Sequence, residues 1–339
     1  MALLYQNSWA LVAGIVTNRV LRVLASYWFH PYRPALTLRA WRRLIGFSFW
    51  SWMTTLVMAF RDRMDTLVVG RVLGPVKTGI YAVGHEIGSL TSTELVEPLT
   101  IALFAGFSAG RRDGTDVADG YLRAIAATLL LILPMGVGLA MLALPLISLL
   151  FGAAWLEAVP LVQMFGLVAT VKVFAYFSGV LLNSHGLVSV VFRIMLVSVL
   201  TRAALLAVLI VPFGLIGAAA GAVCCTLLEE VLFMTYCFRR FNLRPRDLMR
   251  GIWRCVLAAG AMAAALWWLD FGHASAVANQ AAAVRDLIGG TVTGAVVYTA
   301  VLLALWLLSR RPDGAEAVFL TIIGNTARHY LGRYAGRRA

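Results

Sequence analysis

The sequence predicts an all-α fold, a polytopic transmembrane bundle of about nine spanning helices. Three observations predict it. The chain is 61% hydrophobic and only 13% charged, with a mean hydropathy of +0.83, a composition foreign to water-soluble domains. Apolar runs of the roughly 20 residues that a spanning helix needs recur at 8–29, 42–72, 77–107, 120–151, 157–183, 188–211, 214–238, 251–269 and 284–308. The arginines between them fall almost wholly in every second loop.

Taken in order, the first run carries Arg19 and Arg22, the latter close enough to its end to snorkel. The second holds Arg61, Asp62, Arg63 and Asp65, and the third is interrupted by Pro98. Pro134 and Pro145, with Gly136 and Gly138, predict bends in the fourth. Lys172 stands alone in the fifth, and Pro212 to Gly214 separates the sixth from the seventh. The eighth and ninth are joined by 270–283, the longest outward loop. In the tail, Phe319, Ile322, Ile323, Tyr330, Leu331 and Tyr334 recur at roughly helical spacing among arginines. That suits an amphipathic helix on the anionic leaflet, with a frayed basic terminus as the alternative.

Placing 30–41, 108–119, 184–187, 239–250 and the tail from 309 in the cytoplasm collects nearly all loop arginines on one side. The positive-inside rule then puts the N-terminus outside and the C-terminus inside. The net charge of +13 reads as topology, so no nucleic-acid partner is expected; the bilayer is the partner. Cys224, Cys225, Cys237 and Cys255 give neither a disulfide framework nor metal spacing. No HExxH, GxSxG or phosphate-cradling loop occurs. Neither an enzyme nor a cofactor is called for.

An ionised side chain at mid-bilayer costs roughly 2.5 to 3.5 kcal/mol on insertion scales, so the charges of the second run must pair or line water. Reflecting the second and third helices about Pro75 brings Arg63 to within one residue of Glu86 and Asp65 level with His85. Glu86, Glu94 and Glu97 follow helical spacing and share one face. The network is read either as a substrate or ion path or as a lock on the hairpin. By the same reflection Arg193 approaches Glu229 and Glu230, while Arg202 finds no mirror partner. Lys172, an unpaired ammonium in an apolar helix, is the stronger functional candidate.

RDRMDTLVVGRVLGPVKTG, from Arg61 to Gly79, followed by Ile80 and Tyr81, resembles the start of the second lobe in Wzx-like polysaccharide flippases. These belong to the multidrug, oligosaccharidyl-lipid and polysaccharide exporter (MOP) superfamily. LPMGVGLAMLALPLISLLFGAAWLEAVPLVQ from Leu133 to Gln163, WALVAG from Trp9 and PFGLIGAA from Pro212 resemble further family segments in matching order. The resemblance implies two six-helix bundles facing a central cavity, often with two trailing helices. Residues 1–41 would then close a first lobe and supply a linker, 42–240 form the six-helix second lobe, 241–309 two extra helices, and 310–339 a basic cytoplasmic tail.

The implied activity is turning an undecaprenyl-pyrophosphate-linked oligosaccharide across the bacterial inner membrane for exopolysaccharide, capsule or O-antigen synthesis. A complete member carries further helices before Trp9, so the sequence suggests a fragment lacking most of its first lobe, or a chain that pairs with a second copy. Arg61, Arg63 and Lys172 are the expected phosphate ligands. Asp65, with His85, Glu86, Glu94 and Glu97, is expected to position those bases or carry a coupling ion. The rival readings are an ion-coupled small-solute or drug exporter, a membrane glycosyltransferase or ligase acting through 270–283, and an inactive remnant. An expected surplus of inward bases argues against the exporter.

Overall fold

The computed structural model describes residues 9–29, 41–113, 117–271 and 280–309, and every described element is helical. The tail from 310, the loop 30–40 and most of the 270–283 loop lie outside the described residues. The chain forms two units, residues 1–48 and 49–339. The first holds α1, Trp9–Phe29, whose described side chains are all exposed. All packing below concerns the second.

α2 spans Trp41–Leu73 and stops at Gly74, whose φ of 87° is open to glycine and strained for other residues. Pro75 then opens α3, Pro75–Thr91, at a position where its missing N–H costs nothing. A π-helical turn at Ser92–Val96 leads into α4, Glu97–Asp113. Pro98 sits just beyond that wide turn, and the turn accommodates the ring that an ideal helix would clash with.

α5, Val117–Met141, breaks at Leu142 before α6, Ala143–Leu150. Pro134 inside α5 cannot donate to the Leu130 carbonyl one turn back. In an apolar medium that orphan needs a substitute, and the Tyr298 hydroxyl donates to it at 2.8 Å. A 3₁₀ turn, Ala153–Ala158, precedes α7, Val159–Ser184.

α8, Val188–Arg240, is two helices folded at Gly214, where φ is 58° and ψ is −132°. Its two arms press together so closely that a Cβ on Gly217 would lie 2.0 Å from the Leu209 carbonyl oxygen. α9, Pro245–Trp268, and α10, Gln280–Leu308, pack on each other and on α5. α7 lies at the centre, flanked by α3, α4, α5 and α8. It meets α5 where Gly136 faces Gly166 and Thr170, so Gly136 serves close helix approach and not only a bend.

The all-α expectation agrees with these helices. Val117–Met141, Ala153–Ser184, Val188–Arg240, Pro245–Trp268 and Gln280–Leu308 are each long and apolar enough to cross a bilayer. At about 1.5 Å per residue the 53-residue Val188–Arg240 is far too long for one crossing, and its fold at Gly214 divides it.

Candidate functional site

α2, α3, α4, α7 and both arms of α8 enclose a cavity of about 850 Å³ within the second unit. It is polar because the charged run of α2 faces it. Arg61, Arg63 and Asp65 line it, as do His85 and Glu86 of α3, Glu97 of α4 and Lys172 of α7. Glu94 is exposed and is not among the lining residues. The π-helical turn carrying it adds a residue to the helical repeat, so the regular spacing that grouped Glu94 with Glu86 and Glu97 does not hold.

The expected ion pairs across the α2–α3 hairpin do not form. Asp65 is gripped by Arg202 of α8: Nε donates to Oδ1 at 2.9 Å and Nη2 donates to Oδ2. Tyr81 hydroxyl donates to the same Oδ2 at 2.8 Å. Asp65 thus meets Tyr81, one turn short of His85. The His85 ring instead packs edge-on to Phe165, with centroids 4.9 Å apart. Arg63 is exposed to the cavity without an ion pair to Glu86.

Glu229 also pairs elsewhere than expected. Arg61 Nη1 donates to both its oxygens at 3.1 Å, and the Ser198 hydroxyl donates to Oε2 at 2.6 Å. Arg193 is exposed and makes neither expected pair. Glu230 accepts the backbone N–H of Ala175 at 2.6 Å, and Tyr176 hydroxyl donates to Glu97 at 3.2 Å.

Reflection failed because it assumes that hairpin partners stay in contact. α2 and α3 make few close backbone approaches beyond their turn, and the long Arg61 and Arg202 side chains reach instead between α2 and α8, 137 residues apart at Arg202 and Asp65. The signal for Arg202 was present: a cation in an apolar run needs an acid, and Asp65 carried the same need. Tyr81 lies at the end of the family-like stretch, where nothing local assigns it a role. Tyr176, Asn183 and Ser198 have no sequence signal beyond being polar in apolar runs.

Lys172 forms no hydrogen bond or ion pair with the described residues and lines the cavity half-buried. The expected surplus of bases is absent. Arg61, Arg63, Lys172 and Arg202 face Asp62, Asp65, Glu86, Glu97, Glu229 and Glu230, four bases against six acids. Arg61 and Arg202 are already paired with Asp62, Glu229 and Asp65, which leaves Arg63 and Lys172 as the cations uncommitted among the described residues. The described residues hold no group of three or more His, Cys, Asp or Glu side chains placed to bind a metal.

Known proteins resemble this chain in fold and in sequence. The solved structure of the lipid II flippase MurJ, in an inward closed conformation, superposes with a TM-score of 0.60 at 15% identity over 83% of this chain and 58% of that one. The fold of this chain is therefore similar to that of the MurJ structure. The family described as "Polysaccharide biosynthesis protein" matches residues 1–160.

Among curated relatives, the succinoglycan biosynthesis transport protein ExoT of Rhizobium meliloti is 25% identical over 94% of this chain and 64% of its own length. The teichuronic acid biosynthesis protein TuaB of Bacillus subtilis is 24% identical over 46% of this chain and 32% of its own length. The lipopolysaccharide biosynthesis protein WzxC of Escherichia coli is 22% identical over 54% and 38%. The chain spans about two thirds or less of the length of these relatives. It is a multi-pass membrane protein that resembles the Wzx-like polysaccharide transporters, as the order of its motifs implied.

Proposed function

We propose that this chain forms the cavity-bearing lobe of a transporter that turns a prenyl-pyrophosphate-linked oligosaccharide across a bacterial inner membrane. The observation that carries the reading is a polar cavity with two cations uncommitted among the described residues, Arg63 and Lys172, inside a fold shared with a lipid flippase. Similarity to a succinoglycan transport protein over 94% of the chain supports a saccharide cargo.

A flippase must cover a polar, anionic head group while leaving its prenyl tail in lipid. Lys172 and Arg63 offer charge to the pyrophosphate without breaking an existing pair. Arg61 contributes only by loosening its grip on Glu229. Residues 42–240 act as the lobe and 241–309 as a brace against α5. A second lobe, from the same polypeptide or a second copy, completes the chamber, and rocking of the two lobes alternates access. The arginine-rich loops face the cytoplasm, with residues before α1 outside and the tail inside.

One observation favours a second reading. The six acids lining the cavity suit an ion-coupled exporter of small cations, and Glu86 and Glu97 are its candidate coupling groups. Translocation of a fluorescent prenyl-pyrophosphate disaccharide, read by quencher accessibility in vesicles made from the expressing host, separates the two. Lys172→Ala is expected to lower that rate at least about tenfold, the loss of one charge-assisted contact. Unchanged lipid translocation, together with export of a cationic dye, would transfer the assignment to the exporter.

A further inference from the structure

One end of the cavity carries a different chemistry from the part around Arg61 and Arg202. Lys172, Tyr176, Gly179 and Asn183 follow spacings of four, three and four along α7, so they share a face. All four line the cavity, and Lys172 to Asn183 covers about 16 Å of helix. Between Tyr176 and Asn183 the wall is hollow: a Cβ on Gly179 would meet nothing within 4 Å.

The hollow is edged by groups with unused hydrogen-bonding capacity. The half-buried Asn183 side chain lines the cavity, and its buried Oδ1 has no hydrogen-bond partner among the described residues, a costly state for an amide oxygen that turning the amide toward a ligand hydroxyl would relieve. Tyr176 spends its proton on Glu97, which leaves the phenol oxygen and the other Glu97 oxygen free to accept. Thr100 donates to the Glu97 carbonyl at 2.6 Å and is likewise free to accept. Val180 and Val191 supply apolar surface. The described side chains here offer acceptors, the Asn183 amide N–H groups, the Tyr176 ring and the Glu97 carboxylate.

We infer that the Gly179 hollow is a subsite for a neutral sugar ring, the one attached directly to the pyrophosphate that Lys172 holds. The inference rests on the lipid-carrier reading above and adds the direction in which the head group lies. Sugar hydroxyls donate to Asn183 Oδ1, Tyr176 and Glu97, and the apolar ring face rests on Val180 and Val191. Glu97 repels a phosphate from this end, while Lys172, one turn before Tyr176, attracts it. The head group therefore lies along α7, phosphate toward Lys172 and sugar toward Asn183.

Two probes test this on the full chain in lipid nanodiscs: a prenyl pyrophosphate, and the same lipid bearing one glucose. Asn183→Ala and Gly179→Leu are each expected to weaken binding of the glucosylated lipid about tenfold and of the bare lipid less than about twofold, the worth of one or two hydrogen bonds. Lys172→Ala is expected to weaken both alike. Equal losses on both probes for Asn183→Ala, or no loss on either, would overturn the subsite. Asn183→Ala adds no bulk, so it decides the matter where Gly179→Leu fails to fold. A wild-type chain that binds neither probe would instead sink the lipid-carrier reading itself.

Discussion

Two seams run along this bundle, and they are held together by opposite means. Where α3 meets α7, glycines let the backbones approach: a Cβ on Gly84 would lie 2.7 Å from Leu161 Cβ, and one on Gly88 2.4 Å from Phe165 Cβ. Where α2 meets α8, the ties are long side chains, Arg61 to Glu229 and Arg202 to Asp65, with the Trp50 ring tilted against Phe192 at a centroid distance of 5.2 Å. In lipid, close packing of small residues is the reliable source of helix association, because no hydrophobic force separates helix from tail. The glycine seam is shape-dependent and permanent. The ionic seam borders the cavity, and under the proposed transport role such side-chain ties can be remade as access changes.

The largest effect is expected from breaking the ionic seam on one side only. Arg202→Leu leaves the Asp65 carboxylate buried with Tyr81 as its remaining partner, which costs about 3 to 5 kcal/mol. Replacing Asp65 with Leu as well removes the stranded charge, and the double variant is expected to recover most of that loss. Unfolding midpoints of the single and double variants in detergent decide it. A double variant as unstable as the single would mean that the pair acts through shape, and the contrast between the seams would fail.

A second glycine contact, between α5 and α7, should show no such rescue. A Cβ on Gly136 would lie 2.2 Å from Thr170 Cγ2 and 2.7 Å from the Gly166 carbonyl oxygen. Gly136→Ala is expected to cost about 1 to 3 kcal/mol, read by the same unfolding measurement. Thr170→Ala relieves only the side-chain clash, so the double variant stays well below wild type, since the backbone oxygen cannot be trimmed.

This difference explains what the sequence disclosed. Helix extents follow from apolar run length, and the breaks at Gly74, Leu142 and Gly214 follow from glycine and proline, all of them local properties. The polar face of α2 was legible because Arg61 and Asp65 are too costly to leave in lipid. Which acid meets which base was not legible, because the partners lie on helices separated by over a hundred residues and meet by tertiary packing. Glu94 was misplaced by a π-helical turn whose cause, Pro98, was visible but whose register shift was not. Tyr298 illustrates the same limit: Pro134 announces an orphan carbonyl, yet nothing local says which helix supplies its donor.

The smallest effect is expected at the pair that resembles the ionic seam in composition but not in setting. Lys77, near the start of α3, pairs with Glu157 in the 3₁₀ turn before α7, and their side chains are 40% and 56% exposed. Water and salt screen such a pair, and two long side chains lose freedom to form it, so exposed pairs are worth about 0 to 1 kcal/mol. Lys77→Ala should therefore move the unfolding midpoint little, and raising the salt concentration should erase what shift there is. A loss comparable to that of Arg202→Leu would show that carboxylate pairing matters here regardless of burial. In that case burial would no longer separate this pair from the ionic seam.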